Sequence, residues 1–187
     1  LPEETPTTKI DDAVRLREEL SRKKKIIDDV ESGEIDLREG RKTNDYTREA
    51  NYGEIKIQYD LLSRQVNIEG RSGTMTSIGR TAAQSLDEPI KKGIDGIYRF
   101  SNPPPEFIVV EVKYGSSSIS RTLTQSGGKQ MDQVWIGYHI SDQFEDYMLI
   151  RQIMANSKSV LARVNKDSSI TYDLLDESAK TIKRNWF

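Results

Sequence analysis

The chain contains no cysteine and only one histidine, His139, in 187 residues. No disulfide can form and no thiolate can hold a metal, so any bound ion must rely on carboxylates, carbonyls, water or that one imidazole. An oxygen-rich ligand set favours Mg or Mn, with Zn as a further option. Mechanisms that pair two histidines as acid and base lack their parts, and His139, standing alone, reads as structural. Long apolar runs are also missing: none approaches the roughly 18 residues of a membrane span, so the sequence predicts no membrane association. There is no G-x-S-x-G element for a nucleophile elbow. Gly127-Gly128-Lys129 lacks the upstream glycine and following Ser or Thr of a phosphate-binding P-loop. Strong charge of either sign is absent as well. The net charge is −2, but the first 40 residues hold 8 of the 28 basic and 12 of the 30 acidic side chains. The remainder is mildly basic, which is compatible with phosphate binding without requiring it.

What is present is a rather polar chain, 35% hydrophobic and 31% charged, of a length that suits one domain with an appended segment. It begins LPEETPTTK, with no basic and apolar leader, and reads as an excised segment of a longer chain. Residues 1–9 read as linker. Residues 11–31 form a helix with a thin apolar stripe at Val14, Leu16, Leu20, Ile26, Ile27 and Val30, expected to be solvated ahead of the main domain rather than to dock on a partner. Its basic run, residues 22–25, is largely offset by acidic neighbours. Gly33 and Gly40 mark breaks, which gives a helical extension over 1–43 and a main domain over 44–187.

Residues 44–65 carry the clearest helical pattern, with Tyr52, Ile55, Tyr59 and Leu62 three and four apart and Asn44 or Asp45 as cap. Gly53 inside this helix costs about 1 kcal/mol relative to alanine, which implies that something packs close to its backbone. A short strand over 66–68, a loop over 70–79 and a connection over 85–92 follow. Beyond the centre of the chain come a polar loop and a helix whose first turn holds Lys129 and Gln130. Its buried face is expected at Met131, Val134, Trp135 and Tyr138. A further helical pattern runs through Phe144, Met148, Leu149 and Ile153. Alternation at Val160, Ala162 and Val164 and again at Ile170, Tyr172 and Leu174 predicts a hairpin, and a short helix is expected near Trp186. The order of elements implies an α/β (α+β) fold, a mixed central sheet flanked by helices.

The centre is residues 92–113, KGIDGIYRFSNPPPEFIVVEVK. Two apolar runs around a Pro-rich turn predict neighbouring strands, the first containing Asp95, the second placing Glu111 and Lys113 on one face and Val110 and Val112 on the other. Burying a carboxylate costs several kcal/mol unless a cation or hydrogen bonds compensate. Two carboxylates and a lysine in otherwise apolar strands therefore need a joint explanation, and a divalent ion is the economical one. Such an ion acidifies a bound water and neutralises charge on a phosphoryl oxygen, while the lysine orients the nucleophile or stabilises the transition state. Phosphodiester hydrolysis fits that equipment. Without the ion, the same three residues would be a network bracing the sheet.

Asp95, Glu111 and Lys113, spaced as D-x15-E-x-K, resemble the site of the PD-(D/E)XK, or restriction-endonuclease-like, nucleases. More narrowly, NYGE at 51–54, GIDGIY at 93–98, EVKYG at 111–115 and GGKQM at 127–131 resemble the nuclease toxin domains at the C-termini of bacterial polymorphic and contact-dependent growth inhibition toxins. The resemblance covers roughly residues 45–140, with Ile94 in place of the proline of the family name. It implies a PD-(D/E)XK-like fold in which Asp95, Glu111 and Glu54 bind the metal. Lys113 would assist the attacking water, and Lys129, Gln130 and Lys92 would contact substrate. It further implies a monomeric toxin, secreted as part of a larger protein, acting in the target-cell cytoplasm and neutralised by a cognate immunity protein. The tripeptide Gly96-Ile97-Tyr98 is only superficially like a GIY-YIG nuclease, because the second half of that pattern is missing.

The motif cannot choose between DNA and transfer RNA, since metal-activated water needs no 2'-hydroxyl. Arg64, Arg71, Arg80, Lys91 and Lys92 lie in or beside a loop-rich region leading into the site, suited to a duplex backbone, and no stripe of exposed aromatics is evident for stacking bases. DNA is therefore favoured slightly. The alternatives are a transfer-RNA-cleaving toxin with the same site and a non-catalytic nucleic-acid-binding module on a nuclease-like fold.

Overall fold

A computed structural model describes residues 6–38 and 45–187. In chain order the elements are α1 (Pro6–Glu31), α2 (Asp45–Ser63), β1 (Val66–Ile68), β2 (Arg71–Gly73), β3 (Met75–Ser77), β4 (Gly96–Phe100), β5 (Phe107–Tyr114), α3 (Gln133–Gln143), α4 (Tyr147–Asn156), β6 (Ser157–Val164), β7 (Ile170–Leu175) and β8 (Thr181–Lys183). Strands β3 to β8 form one six-stranded sheet in sequence order, and β1 and β2 form a separate small ribbon. The β5–β6 pair is parallel and the other pairs are antiparallel, so the fold is a mixed α+β sheet with helices, as the order of elements implied.

The sheet separates two apolar layers. One holds Tyr52, Ile55, Ile57 and Leu61 of α2 against Ile108, Val110, Val160, Ala162 and Tyr172. The other holds Trp135, Ile136 and Ile140 of α3 and Ile153 of α4 against Ile97, Phe107, Val109 and Leu161. Each fully buried aliphatic or aromatic side chain contributes about 1.5–3 kcal/mol, so the two layers are what hold α2 and α3 to opposite faces. The close approach inferred at Gly53 is real: a Cβ there would lie 3.1 Å from Val112 Cγ1.

Several local expectations differ from the structure. Residues 70–79 are not simply loop, because β2 pairs back onto β1 and β3 adds to the sheet edge beside β4. Backbone pairing, rather than apolar patterning, makes these three-residue strands. Asp95 lies just before β4 instead of inside it. The helix carrying Trp135 begins at Gln133, where Asp132 caps it by accepting from Trp135 N at 2.9 Å, so Lys129 and Gln130 precede it rather than forming its first turn. Its buried face is Trp135, Ile136 and Ile140, while Val134 and Tyr138 are exposed. In α4, Ile153 is buried but Met148 is exposed. The final helix is replaced by β8, which pairs with β7.

Helix α1 starts at Pro6, within the stretch expected to be linker. It is only partly solvated. Val14 and Leu16 are exposed, yet Ile27 joins the α2-side core and Lys23 is buried, donating to Gln58 of α2 and to Glu19. The neighbouring Lys24 and Lys25 pair with Asp28 and Asp29 one turn on. Asn44 and Gly40, named above as a cap and a break, lie outside the described residues.

Candidate active site

Four of the seven residues singled out from the sequence as site candidates, Glu54, Asp95, Glu111 and Lys113, converge at one end of the β4–β5 pair, and a fifth, Gln130, joins them. Strand β5 outruns β4 there, since the ladder ends at Gly96 opposite Val110. The next inward N–H, that of Val112, would lack a partner on that side. Asp95 supplies it, its Oδ2 accepting from Val112 N at 2.7 Å. This bond fixes the carboxylate over the strand that carries Glu111. Glu54 arrives from α2, in the turn that Gly53 holds tight against Val112.

Glu111 is 4% exposed. Its Oε1 accepts from Lys113 Nζ at 2.9 Å and from the side-chain amide of Gln130, while Oε2 is buried with no hydrogen-bond partner. Burial and the nearby charges of Glu111 and Glu54 push the Asp95 carboxyl well above the usual carboxylate range. Burial also pushes Glu111 up, against the opposing pull of Lys113 and of the Asp95 carboxyl, which can donate to Glu111 when it is protonated. A cluster of acids held this way resists full ionisation unless positive charge is supplied.

Arg80 supplies part of it, in a role that sequence reasoning missed. Its Nη2 lies 3.1 Å from both Glu54 Oε1 and Asp95 Oδ1, and its Nε donates to Ile94 O at 2.9 Å. Glu54 Oε2 accepts from Ala83 N at 3.0 Å. All four oxygens of Glu54 and Asp95 are therefore engaged by protein donors. Among the described residues, no group of three Asp, Glu, His or Cys side chains is arranged as a metal cage. The donor chemistry nevertheless suits a hard divalent ion in part: Glu111 Oε2 is the carboxylate oxygen best placed to take one, with the Asp95 carboxyl adjacent and already engaged by Arg80 and Val112 N. Glu54 and Asp95 are each held at both oxygens, by Arg80 with Ala83 N and by Arg80 with Val112 N, so Glu111 is the freest of the three.

Gln130 reaches Glu111 because the GGKQM segment is shaped to deliver it. Gly128 lies against the start of α3, where a Cβ would come within 2.6 Å of Trp135 N, and Met131 adopts φ 68° with its side chain fully buried. Lys129 is exposed on the rim. Lys92 is exposed too and makes no ion pair or hydrogen bond among the described residues, so it is not gathered into the cluster. Of the cations expected to line a groove over 64–92, Arg64 pairs with Asp60, Arg80 is inside the acidic cluster and Lys91 donates to Thr81 O. His139 is packed on Trp135 with ring centroids 4.3 Å apart, and burial lowers its pKa. No helix among the described residues is long and apolar enough to cross a membrane. Compared with protein-family models, with curated proteins and with solved structures, the chain matches none.

Proposed function

We propose that this chain is a metal-dependent endonuclease that hydrolyses phosphodiester bonds, with Asp95 and Glu111 holding a divalent ion and Lys113 serving the attacking water. The observation that carries the reading is the Glu111–Lys113 pair, 2.9 Å apart, with a buried unpartnered Glu111 oxygen beside an Asp95 carboxyl of raised pKa. A protein that needed only to brace its sheet gains nothing from setting two buried acids against each other, both pushed up by burial. A divalent ion bound there, Mg or Mn before Zn, supplies an acidified water and neutralises charge on the phosphoryl group. The chain's own residues do the rest. Gln130 fixes the orientation of Glu111, Lys113 keeps an ammonium at the edge of the acidic pair, and Arg80 holds Glu54 and Asp95 in place between fixed donors.

The resemblance of the four motifs supports the wider reading of a secreted toxin domain acting in a target-cell cytoplasm under the control of a cognate immunity protein. DNA is the favoured substrate and transfer RNA the alternative. Incubating the purified chain with plasmid and with total RNA, with EDTA or with added Mg, Mn or Zn, tests the reaction. Cleavage is expected only with added ion and is expected to fall to background in Asp95→Ala and Glu111→Ala. Normal cleavage by either variant would remove the assignment. One observation favours a second reading, a non-catalytic nucleic-acid-binding module: Arg80 already neutralises Glu54 and Asp95 without any ion. Binding without cleavage under every metal condition is the result that would establish it.

A further inference from the structure

A cleft of about 890 Å³ opens one strand away from Glu111 and Lys113, and none of its lining residues belongs to the 64–92 region. Its floor is β6. Leu161 and Arg163 line it, and in the parallel ladder these are the register partners of Glu111 and Lys113. Adjacent strands lie about 4.8 Å apart, so the cleft begins one strand from the acidic pair and on the same face of the sheet. Gln130 lines the cleft as well and donates to Glu111, joining the two sites through a single side chain.

The cleft is lined by four cations, Arg121, Lys129, Arg163 and Lys180, and by no acidic residue. Among the described residues, Arg121, Lys129 and Lys180 are exposed and make no ion pair. Arg163 donates to Gly115 O at 2.6 Å and Ser117 O at 2.7 Å, contacts that leave its charge uncancelled while strapping down the start of the 116–130 loop. The far end of that loop is tied by Gln130, whose Oε1 accepts from Ser120 N at 2.9 Å. The wall carrying Arg121 and Lys129 is therefore held at both ends. Its apolar lining is Ile119, Leu161, Leu175 and Ala179, with no aromatic side chain on which an unpaired base could stack.

We propose that this cleft seats the phosphate backbone of one strand of duplex DNA and leads it to the acidic cluster. A row of unpaired cations without aromatics or acids recognises backbone charge and not exposed bases, which leaves the bases stacked in the duplex. The use made of the bound strand rests on the nuclease reading, but the binding does not. It can be measured in EDTA, where no metal-dependent cleavage occurs, by fluorescence anisotropy of a labelled duplex of about 20 base pairs at roughly 50 and 200 mM salt. For Arg121→Glu/Lys180→Glu, Kd is expected to rise on the order of 10- to 100-fold, and the log–log salt slope to fall by about 2 because two counterion-releasing contacts are gone. A reference pair in the other basic region, Arg71→Glu/Lys91→Glu, is expected to bind as the wild type does. Circular dichroism melting establishes that each variant is folded; if the cleft pair is not, the neutral Arg121→Gln/Lys180→Gln takes its place, with a smaller loss in the same direction. Wild-type binding by the folded cleft variant, or equal loss in both pairs, overturns the cleft. Binding of transfer RNA but not duplex DNA overturns the duplex assignment. A wild type that binds duplex through the cleft but cleaves nothing under any metal condition upholds the cleft and removes the nuclease reading alone.

Discussion

The two faces of β5 carry opposite chemistry within eight residues. Toward α2 the strand presents Ile108, Val110, Val112 and Tyr114, apolar from end to end and continuous with the larger core. Toward α3 it presents Phe107 and Val109, which are apolar, and then Glu111 and Lys113, which are not. The change comes where helical cover ends. Trp135, Ile136 and Ile140 of α3 pack with Phe107 and Val109, whereas Gln130, from the loop before the helix, is what touches Glu111. A sheet face covered by a helix must be apolar, because a helix flank has few donors to offer a buried carboxylate. A face bordered by a loop and a cleft can hold ions, since backbone amides, side-chain amides and solvent are within reach. One face makes the fold and half of the other is free for chemistry.

The separation can be broken most severely at opposite ends of the same strand. Ile108→Ala, on the α2 face and 0% exposed, is expected to cost about 2–5 kcal/mol. At roughly 2–4 °C per kcal/mol for a chain of this size, that is a loss of about 4–20 °C in Tm. Glu111→Gln, three residues away on the other face, is expected to melt within a few degrees of the wild type while losing metal-dependent cleavage. If Glu111→Gln unfolds the protein, the acidic face is structural after all. Arg80→Ala comes next: it leaves Glu54 and Asp95 with no cation in a largely buried setting, at a cost of about 3 kcal/mol. Combining it with Asp95→Asn is expected to recover part of that loss in a double-mutant cycle, because the residual penalty is repulsion between carboxylates. Additive losses would mean that Arg80 works through packing alone.

How far the sequence reached follows the same division. Alternation in 107–114 disclosed which residues of β5 share a face, and helical spacing disclosed the Tyr52 and Ile55 side of α2, because both patterns are written locally. The gathering of Glu54, Asp95, Glu111 and Lys113 was legible through motif order. Arg80 was not, since its partners are 26 and 15 residues away and nothing in its own neighbourhood separates an arginine facing carboxylates from one facing solvent. The same difficulty hid the cations of the proposed cleft. Arg64 has Asp60 four residues earlier, a pairing that helical spacing makes visible, but the accessibility of Arg121, Lys129 and Lys180 depends on how a loop, a parallel crossover and a sheet edge come together. The short strands β2, β3 and β8 were missed because RSG, MTS and TIK lack the alternating apolar pair that Val66 and Ile68 give the equally short β1.

A smaller test probes the contact that places Glu54. Gly53→Ala adds a methyl 3.1 Å from Val112 Cγ1, and this crowding opposes a helix-propensity gain of about 1 kcal/mol, so the net change in stability is expected to stay below that figure. Gly53→Val adds bulk with no space to receive it and is expected to cost about 1–3 kcal/mol. The informative readout is cleavage by the alanine variant: if α2 is moved off β5, Glu54 moves with it, and activity is expected to fall while stability does not. Unchanged activity together with unchanged stability would show that the tight Gly53 contact is not what positions Glu54.

The smallest expected signal is a slope of stability against pH. In EDTA the folded protein holds Asp95 and Glu111 with raised pKa values, so between the ordinary carboxylate range and those raised values the native state binds more protons than the unfolded chain. Stability must then fall as pH rises through that window, because ionisation is easier once the acids are released to water. Asp95→Asn removes the more strongly shifted group and is expected to flatten the fall, and it leaves the protein more stable than the wild type at the upper end of the window. The Val112 N–H can still find an acceptor in the asparagine carbonyl, so the ladder contact is kept. Saturating Mn is expected to flatten the wild-type curve in the same way, since an ion favours ionised ligands, but to leave the Asp95→Asn curve largely unmoved. Chemical denaturation at a series of pH values, with and without Mn, measures all of this without reference to catalysis. A wild-type curve that rises across the window, or one that Mn does not alter, would mean that Arg80 and Lys113 already satisfy the acidic face. Both faces of β5 would then serve the fold.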